Sequence, residues 1–294
     1  MPSLPRPISQ GRSSGVCKLT GQHGLYVKSH IIPASLTRLP TNGKKIVEAG
    51  IGRGVKSRFA SWYDNELVTR VGEDILEEID TSAIEVLREH KLIWSSWGAE
   101  NELKTDDLLT STGESALRLV QIQRAKELQI FFLSLLWRSA ASSRPEFSDV
   151  KLPADTVEDL RQRVLLKDPG AFSDFPVQLF QIISKGTLHN RTPLLERTVV
   201  QLEAGETWEI EYVRFYFDGL VARVHTSRDA NVDDRYLGTC LRSDERTIVF
   251  THPFDASRAA ADIKEMVSTV TKETTTLNSQ LNSIAKAVRD CWKT

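Results

Sequence analysis

The sequence predicts an α+β protein: short N-terminal strands with a helix, then central helices, then an antiparallel sheet with a long terminal helix. Three patterns carry that expectation. Short apolar strand-like runs lie before residue 33 and again between residues 208 and 250. A broad apolar face of helical period runs through the middle of the chain, and apolar residues at steps of four and three close it. The expected division is residues 1–100, 101–200 and 201–294. A hydrophobic fraction of 40% over 294 residues suits an ordinary globular core.

Residues 1–14, rich in Pro, Ser and Gly, read as an extended arm. Two short strands are expected around Gly21-Gln22-His23-Gly24, Val16 to Leu19 and then Leu25 to Val27 running on to Ile31 and Ile32, where Pro33 stops the second. Residues 34–60 show little periodicity, and Asn42-Gly43, Gly50, Gly52 and Gly54 among Lys and Arg predict a long basic loop. A helix is expected from Thr81 to Ile93, capped by Asp80 or Thr81, with Ala83, Val86, Leu87 and His90 on one side. Trp62, Trp94 and Trp97 are expected to pack in or beside the core.

Glu100 to Glu114 reads as a polar connector, and Ser115 to Ala141 as the central core helix, in which Arg138 is expected to be a buried ion-pair partner. Asp155-Thr156-Val157-Glu158 resembles a capping signature for a helix to Leu166. The stretch Phe175 to Leu194 is ambiguous. Trp208 to Phe217 and Leu220 to Val224 alternate imperfectly about an Asp218-Gly219 turn, and Thr247 to Phe250 adds a strand, together a small antiparallel sheet. The last element is a helix from Ala256 to Trp292. Its seam from Ile263 to Val288 suits either a second copy or partner protein, or the chain's own sheet.

The net charge of −1 hides an asymmetry: residues 1–58 hold ten Lys or Arg against Glu48 alone, which is +9, so the rest sums to −10. A basic segment of this kind suits the phosphates of a nucleic acid, DNA in the first place; the bland reading is a basic arm lying on the chain's own acidic body. No apolar run reaches the ~20 residues that cross a bilayer, and Met1-Pro2-Ser3-Leu4-Pro5 has no signal layout, so a cytoplasmic protein without membrane contact is expected. Cys17, Cys240 and Cys291 are too scattered for a disulfide framework or a four-thiolate zinc site.

Three motifs stand together near the start: Cys17-Lys18-Leu19-Thr20-Gly21, then Ser29-His30-Ile31-Ile32-Pro33, then Asp64-Asn65-Glu66-Leu67-Val68-Thr69 running on to Gly72-Glu73. On these residues the N-terminal hundred resemble the HNH, or ββα-metal, endonucleases, in particular bacterial members with a Ser-His-Ile-Ile-Pro signature. Phe132 to Arg138 and Val157 to Arg161 resemble the helical part that accompanies it. The resemblance implies a treble-clef-like ββα-metal module and metal-dependent hydrolysis of DNA phosphodiester bonds, in a defence or mobile-element setting. Zinc-bearing members hold their metal on two knuckles. Here Cys17 remains while Thr20, Thr69 and Gly72 stand at the other three ligand positions, so no structural zinc is expected.

The same resemblance makes His30 the general base and Asp64 and Glu73 the ligands of a Mg²⁺ ion, with Ser29 at the preceding ligand position and Asn65 as an alternative to Asp64. Phosphates would be held by Lys28, Arg38, Lys44, Lys45, Arg53, Lys56 and Arg58. The competing reading is a catalytically inactive scaffold that binds nucleic acid or protein, in which Asp64 is a turn acid and Glu73 a helix-start acid. The two readings part on whether His30, Asp64 and Glu73 converge beside residues 38–58.

Overall fold

The architecture was read from a computed structural model, which describes residues 13–37, 46–49, 56–58, 62–112, 115–186, 189–201, 207–228, 234–243, 246–258, 260–261 and 264. Strands β1 (Ser14–Val16) and β2 (His23–Leu25) form an antiparallel hairpin. They sit outside the expected strand positions because Cys17 to Gln22 closes as a tight turn: Cys17 N–H donates to Gln22 O and Gly21 N–H to Cys17 O, both at 2.9 Å. After β3 (Ser29–His30), the stretch expected to be a loop contains β4 (Ile46–Ala49) and β5 (Lys56–Arg58), which pair antiparallel. Strand β6 (Tyr63–Asp64) then returns to pair with β3.

Helix α1 (Arg70–Glu89) starts well before the expected Thr81, and Asp80 and Thr81 lie in its interior rather than at its cap. One buried stripe explains the extension: Leu76 and Ile79 continue the line of Ala83, Val86 and Leu87 backwards. A hairpin of β7 (Leu108–Thr112) and β8 (Ser115–Val120) replaces the expected connector and the first turns of the expected core helix. In β8 the residues Ala116, Arg118 and Val120 are buried while Leu117 is exposed, the alternation of a strand.

The core helix is α2 (Ala125–Ala141), buried on nearly every side from Leu128 to Ser139. An apolar helix with so little polar face has to be enclosed. Helix α3 (Ala154–Leu166) has the expected span, but Asp155 does not cap it; its carboxylate accepts from Thr156 N–H instead, and Pro153 holds the cap position. The ambiguous stretch resolves into β9 (Val177–Ile182) and β10 (His189–Arg191), followed by β11 (Leu194–Gln201).

Strands β12 (Thr207–Phe217) and β13 (Leu220–His225) form the expected hairpin, with Asp218 at φ 49 and Gly219 at φ 81 as its turn. A short helix, α4 (Asp234–Leu237), precedes β14 (Thr247–His252). The sheet is larger than expected and mixed: its order is β11-β12-β13-β9-β14-β8-β7, and β9 runs parallel to β14. It therefore takes strands from both sides of the division expected at residue 200.

One face of this sheet packs on α2, where Phe131 and Phe132 meet Phe217 at ring-centroid distances of 6.2 and 6.5 Å. Each such ring contributes ~1.5–3 kcal/mol by leaving water. Helix α1 and the N-terminal strands lie against the other side of α2, with Trp62 edge-on to Phe147 at 6.4 Å. Trp62, Trp94 and Trp97 are all buried, as expected of core residues. No helix among the described residues is long and apolar enough to cross a membrane. The expected seam from Ile263 to Val288 lies outside the described residues.

Candidate functional site

The four knuckle positions come together around one sulfur. Cys17 is fully buried, and its Sγ accepts from Thr20 N–H at 3.5 Å. Burial raises the thiol, but hydrogen bonds from Thr20 and Thr69 outweigh it and hold Cys17 below its ordinary value. Gly72, in the first turn of α1, faces the same sulfur so closely that a Cβ there would lie 2.7 Å from it. The flanking backbones are joined directly: Lys18 N–H donates to Leu67 O at 2.9 Å and Val27 N–H to Val68 O at 3.2 Å. Hydrogen bonds and close packing thus tie the two turns together through groups that the sequence itself supplies.

The expected catalytic residues are distributed differently. In the β3–β6 pair Ser29 lies opposite Asp64 and His30 opposite Tyr63. Opposed residues share a face and successive residues alternate, so His30 and Asp64 point to opposite sides. Asp64 is buried and committed: Oδ1 accepts from Glu66 N–H at 2.8 Å and Oδ2 from the Ser142 hydroxyl at 2.7 Å. Asn65 beside it is exposed.

Glu73 is half-buried, and its Oε2 is enclosed with no hydrogen-bond partner among the described residues. The Ser29 hydroxyl lies near enough to act on this carboxylate, yet outside hydrogen-bonding geometry, and it too is buried and unpaired. Burial raises the Glu73 carboxyl above its ordinary value against the opposing pull of Ser29 and Arg138.

His30 is half-buried and edge-on to Tyr63 at 6.3 Å, while the Lys28 ammonium sits over the Tyr63 ring at 4.2 Å. Burial, then Lys28 and Arg138, lower the imidazole pKa, so His30 is neutral near pH 7. The backbone carbonyl of His30 accepts from Arg138 Nη1 at 3.0 Å. Arg138 also pairs with Asp80 at 2.5 Å and bonds Ser134, which makes it the buried ion-pair partner expected from the sequence. Sequence reasoning did not find its partner, because Asp80 was placed at a helix cap, nor the contact of Asp64 with Ser142.

No three His, Cys, Asp or Glu side chains converge on a possible metal position among the described residues. His30 and Asp64, two of the three expected site residues, face apart across the β3–β6 pair. Of the expected phosphate-binding residues, Arg38, Lys44, Lys45 and Arg53 lie outside the described residues. Lys56 and Arg58 belong to β5, in the sheet β10-β4-β5, where β4 runs parallel to β10. No family model, no curated protein and no solved structure matches this chain.

Proposed function

We propose that this protein is an HNH-like scaffold that binds nucleic acid, DNA in the first place, without catalysing its hydrolysis. The observation that carries the reading is the contrast between the two sets of motif positions. Cys17, Thr20, Thr69 and Gly72 converge as knuckle ligands would, which supports the ββα resemblance. His30 and Asp64 face apart, and Asp64 is held by Ser142 and Glu66. The order β3, β6, α1 behind the β1–β2 turn fits a ββα module whose metal chemistry has been replaced by packing. The basic segment 1–58, at +9, supplies the affinity for phosphates.

The test is fluorescence anisotropy with a labelled DNA duplex across a salt series. Binding should weaken steeply as salt rises, and Lys44→Gln with Lys45→Gln should reduce the slope by roughly two counterions. Affinity that ignores salt, or that survives these changes with an unchanged slope, would count against the reading.

A second reading, a metal-dependent nuclease, is favoured by one observation: Glu73 Oε2 and the Ser29 hydroxyl are buried without a hydrogen-bond partner among the described residues, and Ser29 adjoins a neutral His30 in β3. A neutral imidazole can accept a proton, and a bound divalent ion would supply Lewis-acid activation of the phosphate. Nicking of supercoiled plasmid in Mg²⁺ or Mn²⁺, lost in His30→Ala, would establish it. Intact plasmid across a metal series leaves the scaffold reading in place.

A further inference from the structure

Among the described residues, the sheet face turned away from α2 sets two arginines side by side, which the nucleic-acid reading does not use. Strand register sets Glu196, Tyr212 and His225 in one row, and Arg214, Arg223 and Gln178 in the next. Arg214 and Arg223 are directly opposed, and like charges in that relation destabilise a sheet unless an anion intervenes. Glu196 is the carboxylate in contact with Arg214, and it is already shared. Its Oε1 accepts from Arg214 Nε at 3.2 Å and from Arg258 Nη1 at 2.9 Å, and its Oε2 from the Tyr212 hydroxyl at 3.3 Å. Two guanidinium groups, those of Arg214 and Arg258, therefore meet one carboxylate.

Hydrogen-bond donors are left over. Arg214 is only 8% exposed and its Nη2 has no partner among the described residues; Arg223 Nε is likewise buried and unpaired. A buried donor without a partner is costly, more so on a charged group. The Arg223 guanidinium is gripped between the rings of Tyr212, at 4.8 Å, and Phe180, at 4.4 Å, and Phe180 is itself stacked on Phe250 at 5.0 Å. The two rings hold the guanidinium without accepting from its N–H groups in the plane. The Arg258 side chain, 62% exposed, marks the side open to solvent.

We propose that Arg214, Arg223 and Arg258 form a binding site for a phosphate group, with Glu196 and Tyr212 fixing the directions of the guanidinium donors. A phosphate brings up to two negative charges and several acceptor oxygens, which suits planar donors arriving from different strands. The site is separate from the basic N-terminal segment and does not rest on the nucleic-acid reading. Inorganic phosphate and the terminal phosphate of a nucleotide chain offer the same chemistry, so the test includes both.

Thermal unfolding of the full chain is followed in phosphate and in chloride at matched pH and ionic strength. With phosphate about 100 times its dissociation constant, the melting temperature should rise by roughly 5 °C over chloride. Phosphate also stabilises proteins by exclusion from their surface, so the variants carry the decision. Arg223→Gln should abolish the excess rise, and Lys44→Gln with Lys45→Gln should preserve it. Should Arg223→Gln fail to fold, Arg258→Gln at its exposed position should weaken phosphate about tenfold by calorimetric titration without changing the melting temperature in chloride.

An excess rise that is absent in the wild type, or that survives both arginine changes, overturns the proposal. A 5′-phosphorylated oligonucleotide that displaces inorganic phosphate, where its 5′-hydroxyl twin does not, assigns a nucleotide source; equal failure of both assigns the free ion. Loss of DNA binding in the lysine variant with phosphate binding intact would bear on the scaffold reading alone.

Discussion

Two sides of the sheet treat buried arginine in opposite ways. On the helix-facing side every nitrogen of the Arg118 guanidinium has a partner: Asp107 takes Nε and Nη2, Gln181 takes Nη1, and the His90 carbonyl takes Nη2 again. Arg138, in α2, is likewise matched to Asp80, the His30 carbonyl and Ser134. On the far side Arg214 Nη2 and Arg223 Nε are buried and have no partner among the described residues. A buried guanidinium with complete acceptors is a staple, because removing either partner strands the other. One with spare donors is equipped to receive something.

The largest expected effect tests that division directly. Arg138→Met leaves Asp80 enclosed without its cation and should cost ~3–5 kcal/mol in urea unfolding. Arg214→Met should cost under ~1 kcal/mol in phosphate-free buffer, since it also relieves the opposition to Arg223. Equal losses would break the comparison.

A pH experiment on the far side comes next. Burial lowers His225 to about 4, and its Nε2 meets the Tyr236 hydroxyl at 2.9 Å. Between that value and the ordinary 6.5, the unfolded chain binds more protons than the native protein, so stability rises with pH. About 3 kcal/mol should disappear on going from pH 6.5 to 4, and His225→Gln should flatten that limb.

The remaining two effects sharpen the picture of the helix-facing side. Gly72→Ala should cost ~2 kcal/mol despite the better helix propensity of Ala, because the new Cβ collides with Cys17 Sγ and Val68. Adding Cys17→Ala should recover much of that loss, a non-additivity that a double-mutant cycle would measure. Smallest is Glu73→Gln. Burial raises the Glu73 carboxyl, so the native state holds its proton more tightly and stability falls as pH rises through the raised value. The amide should remove this fall and stabilise the protein by ~1 kcal/mol at pH 7.

Much of the fold was legible where the pattern was local. The Asp218-Gly219 turn, helix α3 and the burial of α2 followed from turn chemistry and period. What failed was context. Ser115 to Val120 has enough Leu and Val to continue a helix, and only pairing with β7 and β14 makes it a strand. Acidic residues at positions 73, 74, 77 and 78 disguised the first half of α1, whose buried stripe is narrow. At the candidate site the resemblance to the ββα family grouped Cys17, Thr20, Thr69 and Gly72, and the four do lie together. It did not place His30 relative to Asp64, since a strand's alternation becomes visible only once the register of β3 against β6 is known.

The Asp218-Gly219 turn ties the sheet to the residues that follow α1. Trp94, just beyond α1, donates its backbone N–H to Asp218 O at 2.8 Å and its indole N–H to Ile182 O at 2.8 Å. Its indole fills the space where any side chain on Gly219 would stand. The exit of α1 is therefore latched to the far end of a hairpin more than a hundred residues away in sequence. Such a latch should make the N-terminal strands and the sheet melt in a single transition, which coincident far-UV and near-UV circular dichroism melts would show.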